Sequence, residues 1–114
     1  MKGFRGAVEH RLEGIEFDVW LSKDKVPMIL HGGSDGQLEL YGLNDERVFD
    51  WTFDQLRKLD IGEGEVMPTL EELLKLVSGT TMLINIELKG PLTDEIKPLY
   101  DYDLACQTTH NLVV

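Results

Sequence analysis

The sequence of 114 residues predicts an α/β protein whose main strands run parallel. Three observations carry that prediction. Segments 15–21 and 82–89 alternate apolar and polar side chains with the period of two that marks a half-buried strand. Two segments between them have helical spacing, and each opens with a capping pattern. The resulting order is helix, strand, small hairpin, helices, strand, helix, as in strands joined by helical crossovers.

Residues 4–12 are predicted helical, because Phe4, Ala7, Val8 and Leu12 recur near helical spacing, with Arg5, Glu9 and His10 between them and Gly14 as the stop. The strand 15–21 sends Ile15, Phe17, Val19 and Leu21 to one side and Glu16, Asp18 and Trp20 to the other. Lys23-Asp24-Lys25 reads as a turn and Val26 to Leu30 as a short return strand. Pro27 lacks an N–H for the ladder, which places that strand at an edge or outside the main sheet. Residues 32–50 read as a long connection rich in glycine and acids, and connections this long often carry function. Thr52 with Gln55 opens a helix containing Phe53, Leu56 and Leu59. Thr69 with Glu72 opens another, where Leu70, Leu73, Leu74 and Val77 form one stripe and Gly79 stops it. In the strand 82–89, Ile84, Ile86 and Leu88 face one side and Leu83, Asn85, Glu87 and Lys89 the other. From Asp103 the chain reads as helix, turning extended near Leu112-Val113-Val114.

Composition narrows the function. Hydrophobic residues are 42% and charged residues 28%, a globular balance. The length allows one domain that removes roughly two-thirds of its unfolded surface from water. A formal net charge of −10 repels a phosphate backbone and an anionic membrane surface, and suits a protein that gathers a divalent cation. A single cysteine, Cys106, excludes an internal disulfide and fits a reducing compartment. No apolar run approaches the ~20 residues of a membrane span, and the first residues lack the apolar middle of a secretory signal. Cytoplasm is therefore the expected location.

Glu16 and Asp18 stand at i and i+2 of one strand, on the same face. Two carboxylates that close repel unless water screens them or a cation neutralises them. A solvated strand face is the plain alternative. Trp20 on the same face argues against it, and Glu87 near the carboxyl end of the other main strand supplies a third carboxylate. Three carboxylates converging at strand ends make a hard, oxygen-rich site for Mg²⁺ or Ca²⁺. His31 reads either as a surface loop histidine or as a general acid or base. Lys89, two residues past Glu87, reads either as its ion-pair partner or as a clamp on an anionic group such as phosphate. His10 and His110 have no partner in view, and Asn85 is either a ligand-orienting or a structural amide. Metal, lysine and histidine together suit metal-assisted phosphoester cleavage.

Three stretches then resemble one family. Residues 14–33, GIEFDVWLSKDKVPMILHGG, are similar to a strand with Glu-x-Asp-Val, a Ser/Thr-Lys-Asp turn and an apolar strand ending in His. MPTLEELLKL resembles a Pro-Thr-Leu-Glu-Glu helix start, and INIELKG an Ile-Glu-x-Lys strand. In this order and spacing they resemble the glycerophosphodiester phosphodiesterases. The resemblance implies a partial TIM-type (β/α)₈ barrel of the phospholipase-C-like phosphodiesterase superfamily over residues 1–114. Residues 21–30 would begin the small insertion at the barrel mouth. It implies Glu16, Asp18 and Glu87 as ligands of Mg²⁺ or Ca²⁺, His31 as one of two catalytic histidines, and Lys89 as a phosphate contact. The implied reaction is hydrolysis of a small-molecule glycerophosphodiester to an alcohol and glycerol 3-phosphate. The sequence departs from the family at His31-Gly32, where His-Asp is usual, and it has no counterpart of the opening His-Arg-Gly strand. A full barrel takes about 250 residues.

Two other functions follow from the departures and the shared superfamily. One is a non-catalytic truncated remnant that binds metal or a partner; the other is a related phospholipase-type phosphodiesterase. A partial barrel would also leave strand edges and the apolar faces of Ile15, Phe17, Val19, Ile84 and Ile86 in water. The chain alone is then predicted to be marginally stable or prone to associate, which a sharp two-state melt of a dilute monomer would contradict.

Overall fold

Strand β1 (Gly14–Leu21) is the middle of a three-stranded sheet, with β2 (Pro27–Ile29) antiparallel on one side and β5 (Leu83–Leu88) parallel on the other. The structure is a computed structural model, and it describes residues 5–6, 14–30, 35–38, 42–61, 64–80 and 82–113. Of the helix expected over 4–12, only Arg5 and Gly6 are described, and both are helical. Among the described residues no helix is long and apolar enough to cross a membrane.

The parallel register pairs Ile15 with Ile84, Phe17 with Ile86 and Val19 with Leu88. These residues share one face, and helix α2 (Leu70–Val77) covers it. Thr69 caps α2 by accepting from the Glu72 N–H, while the Glu72 carboxylate accepts from the Thr69 N–H. Leu70, Leu73 and Val77 then pack on Phe17, Val19 and Ile29. Each fully buried apolar side chain of this size contributes about 1.5–3 kcal/mol before entropy is counted. This corrects the expectation of a bare apolar face: Phe17 and Val19 are buried, and Ile15, Ile84 and Ile86 are half-buried against the same cluster. The i, i+3, i+4, i+7 stripe of α2 is the cover.

The hairpin after β1 is tied at its turn. The Ser22 Oγ accepts from the Val26 N–H at 2.9 Å and donates to Asp24 Oδ1 at 2.5 Å. Asp24 Oδ1 also accepts from the Phe53 N–H, at the start of helix α1 (Phe53–Arg57). Pro27 pairs opposite Leu21, and β2 stands at the sheet edge, where a missing N–H costs no ladder bond.

The connection expected over 32–50 holds more structure than anticipated. Within it, β3 (Gln37–Leu38) and β4 (Leu43–Arg47) pair as an antiparallel ribbon, and Val48–Asp50 form a 3₁₀ turn. Strands this short show too few alternations to be recognised. Their inward residues, Leu38, Val48 and Phe49, join a second core with Trp20, Leu21, Met28, Leu30, Leu56, Met67 and Tyr100. Trp20, Phe49 and Tyr100 pack ring against ring, with centroids 5.2 to 6.1 Å apart.

The last helix, α3 (Tyr102–Val113), also differs from expectation, since Leu112 and Val113 stay helical. Asp101 Oδ1 accepts from the Leu104 N–H at the start, and no Gly or Pro interrupts the run. A β-branched residue in the last turn costs only a few tenths of a kcal/mol, about the propensity difference from Ala. The described sheets, of three and two strands, stay open and do not close into a barrel.

Candidate active site

The carboxyl ends of β1 and β5 lie side by side because the two strands are parallel neighbours. The register sets Asp18 directly opposite Glu87 and Glu16 opposite Asn85, on the face turned away from α2. Glu16, Asp18, Glu87 and Lys89 line one cleft of ≈480 Å³, whose lining is completed by Phe17, Ile29 and Leu30. Four of the five residues singled out in the sequence are thus brought together. The fifth, His31, lies outside the described residues.

The electrostatics of this group are collective. Lys89 Nζ stands 3.0 Å from Glu87 Oε1. The hydrogen bond to Glu87 raises the Lys89 pKa, and the nearby Asp18, Glu87 and Glu16 charges raise it further. Lys89 in turn lowers the pKa of Glu87, as does a hydrogen bond with the Asp18 carboxyl. The donors are all carboxylate oxygens, a set that suits a hard divalent cation better than a thiophilic one. In the present arrangement no three His, Cys, Asp or Glu side chains among the described residues stand together as a metal-holding group, and Glu87 is turned onto Lys89.

Trp20 shares the face of Glu16 and Asp18 but does not line the cleft. It is 1% exposed, under Phe49 and Tyr100. The polar face is therefore closed at its upper end by the aromatic core, which explains a tryptophan beside two acids. The Tyr100 hydroxyl accepts from the buried Leu21 N–H at 2.8 Å, and burial pushes its pKa up to about 12.

Sequence reasoning missed Asp35. This buried carboxylate accepts from the N–H groups of Leu92 and Thr93 at 2.8 and 3.0 Å, and from the Thr93 hydroxyl at 2.6 Å. The Thr93 hydrogen bonds hold its carboxyl below the usual carboxylate range. Asp35-Gly36 carries a turn signal, but nothing local links it to residues more than fifty positions away.

A larger cavity of ≈620 Å³ lies elsewhere, lined among others by Pro27, Phe53, Arg57, Glu72 and Asn111. Its central charges are already satisfied: Arg57 makes a two-pronged pair with Glu72 at 2.6 and 3.1 Å and donates to the Met67 carbonyl. Size alone does not make it the reactive site.

These features define an α/β protein whose polar cleft opens at the carboxyl ends of parallel strands, where barrels and open sheets of this class bind ligands. The chain belongs to the glycerophosphoryl diester phosphodiesterase family, whose sequence profile matches residues 1–111. A glycerophosphodiester phosphodiesterase of Caldanaerobacter subterraneus subsp. tengcongensis is 34% identical over 94 residues, covering 76% of this chain and 37% of that protein. The crystal structure of the glycerophosphodiester phosphodiesterase of Thermotoga maritima superposes with a TM-score of 0.71 at 28% identity, over 97% of this chain and 41% of that one. A phosphodiesterase of Oleispira antarctica, solved in complex with the product sn-glycerol-3-phosphate, gives 0.67 at 29% identity, over 78% and 38%. The chain spans less than half the length of each of these proteins.

Proposed function

We propose that this chain carries part of the active site of a (β/α)₈-barrel phosphodiesterase that hydrolyses glycerophosphodiesters to an alcohol and glycerol 3-phosphate. The observation that carries the reading is the single cleft shared by Glu16, Asp18, Glu87 and Lys89 at the ends of two parallel strands. Family membership supports a glycerophosphodiester as the substrate class. Glu16, Asp18 and Glu87 would hold a divalent cation, Mg²⁺ or Ca²⁺. When bound, the cation supplies Lewis-acid polarisation of a phosphoryl oxygen. Lys89, kept charged by its carboxylate neighbours, binds an anionic oxygen of the phosphate and takes up developing charge. His31 moves a proton to or from the reacting oxygens.

The test is metal-dependent release of glycerol 3-phosphate from glycerophosphocholine. We expect Glu16→Ala and Glu87→Ala to abolish it, and survival of activity in both would remove the site assignment. Hydrolysis of intact phospholipid in preference to glycerophosphocholine would favour the phospholipase-type reading. Cation binding without turnover would favour the non-catalytic one.

A further inference from the structure

We propose that Asp35 is a positioning residue for Lys89: its buried carboxylate pins the turn after β5 to the segment that enters β3 and so fixes where Lys89 stands in the cleft. The inference rests on the reading of Lys89 as the phosphate contact.

Asp35 is itself firmly held. The next residue, Gly36, has φ +81°, and a Cβ there would lie 3.1 Å from the Trp20 ring and 3.3 Å from Phe49. Only a glycine allows both that backbone conformation and that approach. The Gly36 carbonyl accepts from the Val48 N–H at 2.9 Å. Asp35 is thus mounted on the aromatic core that closes the upper end of β1.

From this mount the carboxylate reaches across to the other strand's exit. It takes two backbone N–H groups and a hydroxyl from Leu92 and Thr93. Hydrogen bonds to an ionised acceptor are roughly twice as strong as neutral ones. Buried Pro91 and Gly90 are all that separate Leu92 from Lys89. Gly90 lies against the Tyr102 ring, where a Cβ would meet Cδ2 at 2.9 Å. The Lys89 N–H donates to the Val19 carbonyl at 3.3 Å. Lys89 is therefore held on one side by β1 and on the other by the turn that Asp35 clamps. Among the described residues, Asp35 is the acceptor for both the Leu92 and the Thr93 N–H groups.

The test compares Asp35→Ala, Thr93→Val and Thr93→Ser with Glu72→Gln, which weakens a carboxylate clamp remote from the cleft. Two readouts are taken on the full chain: amide hydrogen exchange at Lys89, and affinity for sn-glycerol 3-phosphate by calorimetry. Asp35→Ala should speed Lys89 exchange about tenfold and weaken the ligand by about tenfold, a change on the scale of one lost charge-assisted hydrogen bond. Thr93→Val, the milder variant should Asp35→Ala fail to fold, should move both readouts the same way by a smaller factor. Thr93→Ser, which keeps the hydroxyl, should leave both at the wild-type values. Glu72→Gln should lower the melting temperature and move neither. Lys89 exchange and ligand affinity within twofold of wild type in both Asp35→Ala and Thr93→Val would overturn the proposal. So would an equal response in Glu72→Gln. A wild-type chain blind to glycerol 3-phosphate would count against the phosphodiesterase reading, and the exchange comparison would still decide whether Asp35 fixes Lys89.

Discussion

The two faces of the β1–β5 pair share one backbone ladder and one register, yet they are built for opposite ends. On one, Phe17 and Val19 are buried beneath Leu70, Leu73 and Val77. On the other, Glu16, Asp18, Glu87 and Lys89 look into an open cleft, with Glu87 and Lys89 each near half exposed. The period of two lets a single strand hold both. Stability is drawn from the covered face. The open face concentrates like charge that a cover would have to neutralise.

If that division is right, substitutions should sort by face. The largest loss belongs to the covered one. Leu73→Ala should cost about 2–5 kcal/mol in urea unfolding, the range for a core leucine truncated with partial collapse. A cost under ~1 kcal/mol would mean that α2 is only loosely docked.

Next comes the aromatic closure between the faces. Tyr100→Phe leaves the buried Leu21 N–H without its acceptor and should cost about 1–3 kcal/mol. Tyr100 also predicts an alkaline limit. Its folded pKa is raised from 10.0 to about 12, so above pH 10 the unfolded chain releases a proton that the folded chain keeps. That contribution is whole below pH 10 and is lost as the pH rises through about 12. Melting curves from pH 9 to 11 should fall more steeply for the wild type than for Tyr100→Phe.

The Arg57–Glu72 pair is partly exposed, and Glu72→Gln should cost about 0.5–1 kcal/mol. Its Arg57 hydrogen bond lowers the Glu72 pKa below 4.5, so the contribution is present above that value and is lost as the pH falls through the lower folded pKa. Acid titration of stability should therefore be shallower in Glu72→Gln than in the wild type.

The smallest effect belongs to the open face. Glu16→Gln and Glu87→Gln should each leave the melting temperature unchanged or raise it slightly, since each removes a like charge. A clear fall in the melting temperature of either would make the carboxylates structural and erase the contrast between faces.

Much of this contrast was legible in the sequence because it is periodic. The alternation from Ile15 to Leu21 and from Leu83 to Lys89 assigned each residue its face, and the stripe from Leu70 to Val77 announced a helix able to cover one of them. The capping pairs Thr52–Gln55 and Thr69–Glu72 form as their spacing requires. What escaped was long-range or short in extent. The β3–β4 ribbon has too few residues to show a period. Trp20 looked like part of the site because its burial depends on Phe49 and Tyr100, distant in the chain. Asp35 meets Leu92 and Thr93 only through the fold. The grouping of Glu16, Asp18, Glu87 and Lys89 on one face could be read, while the contacts around that face could not.

The central claim is that the open face binds a divalent cation through its carboxylates. Calorimetric titration of Mg²⁺ and Ca²⁺ into the wild type and into Asp18→Asn tests it most directly, with melting curves of both as the control. The account predicts that one of the two cations binds the wild type and that Asp18→Asn loses that binding without a lower melting temperature. Equal binding by the two proteins, or none by the wild type, would contradict it.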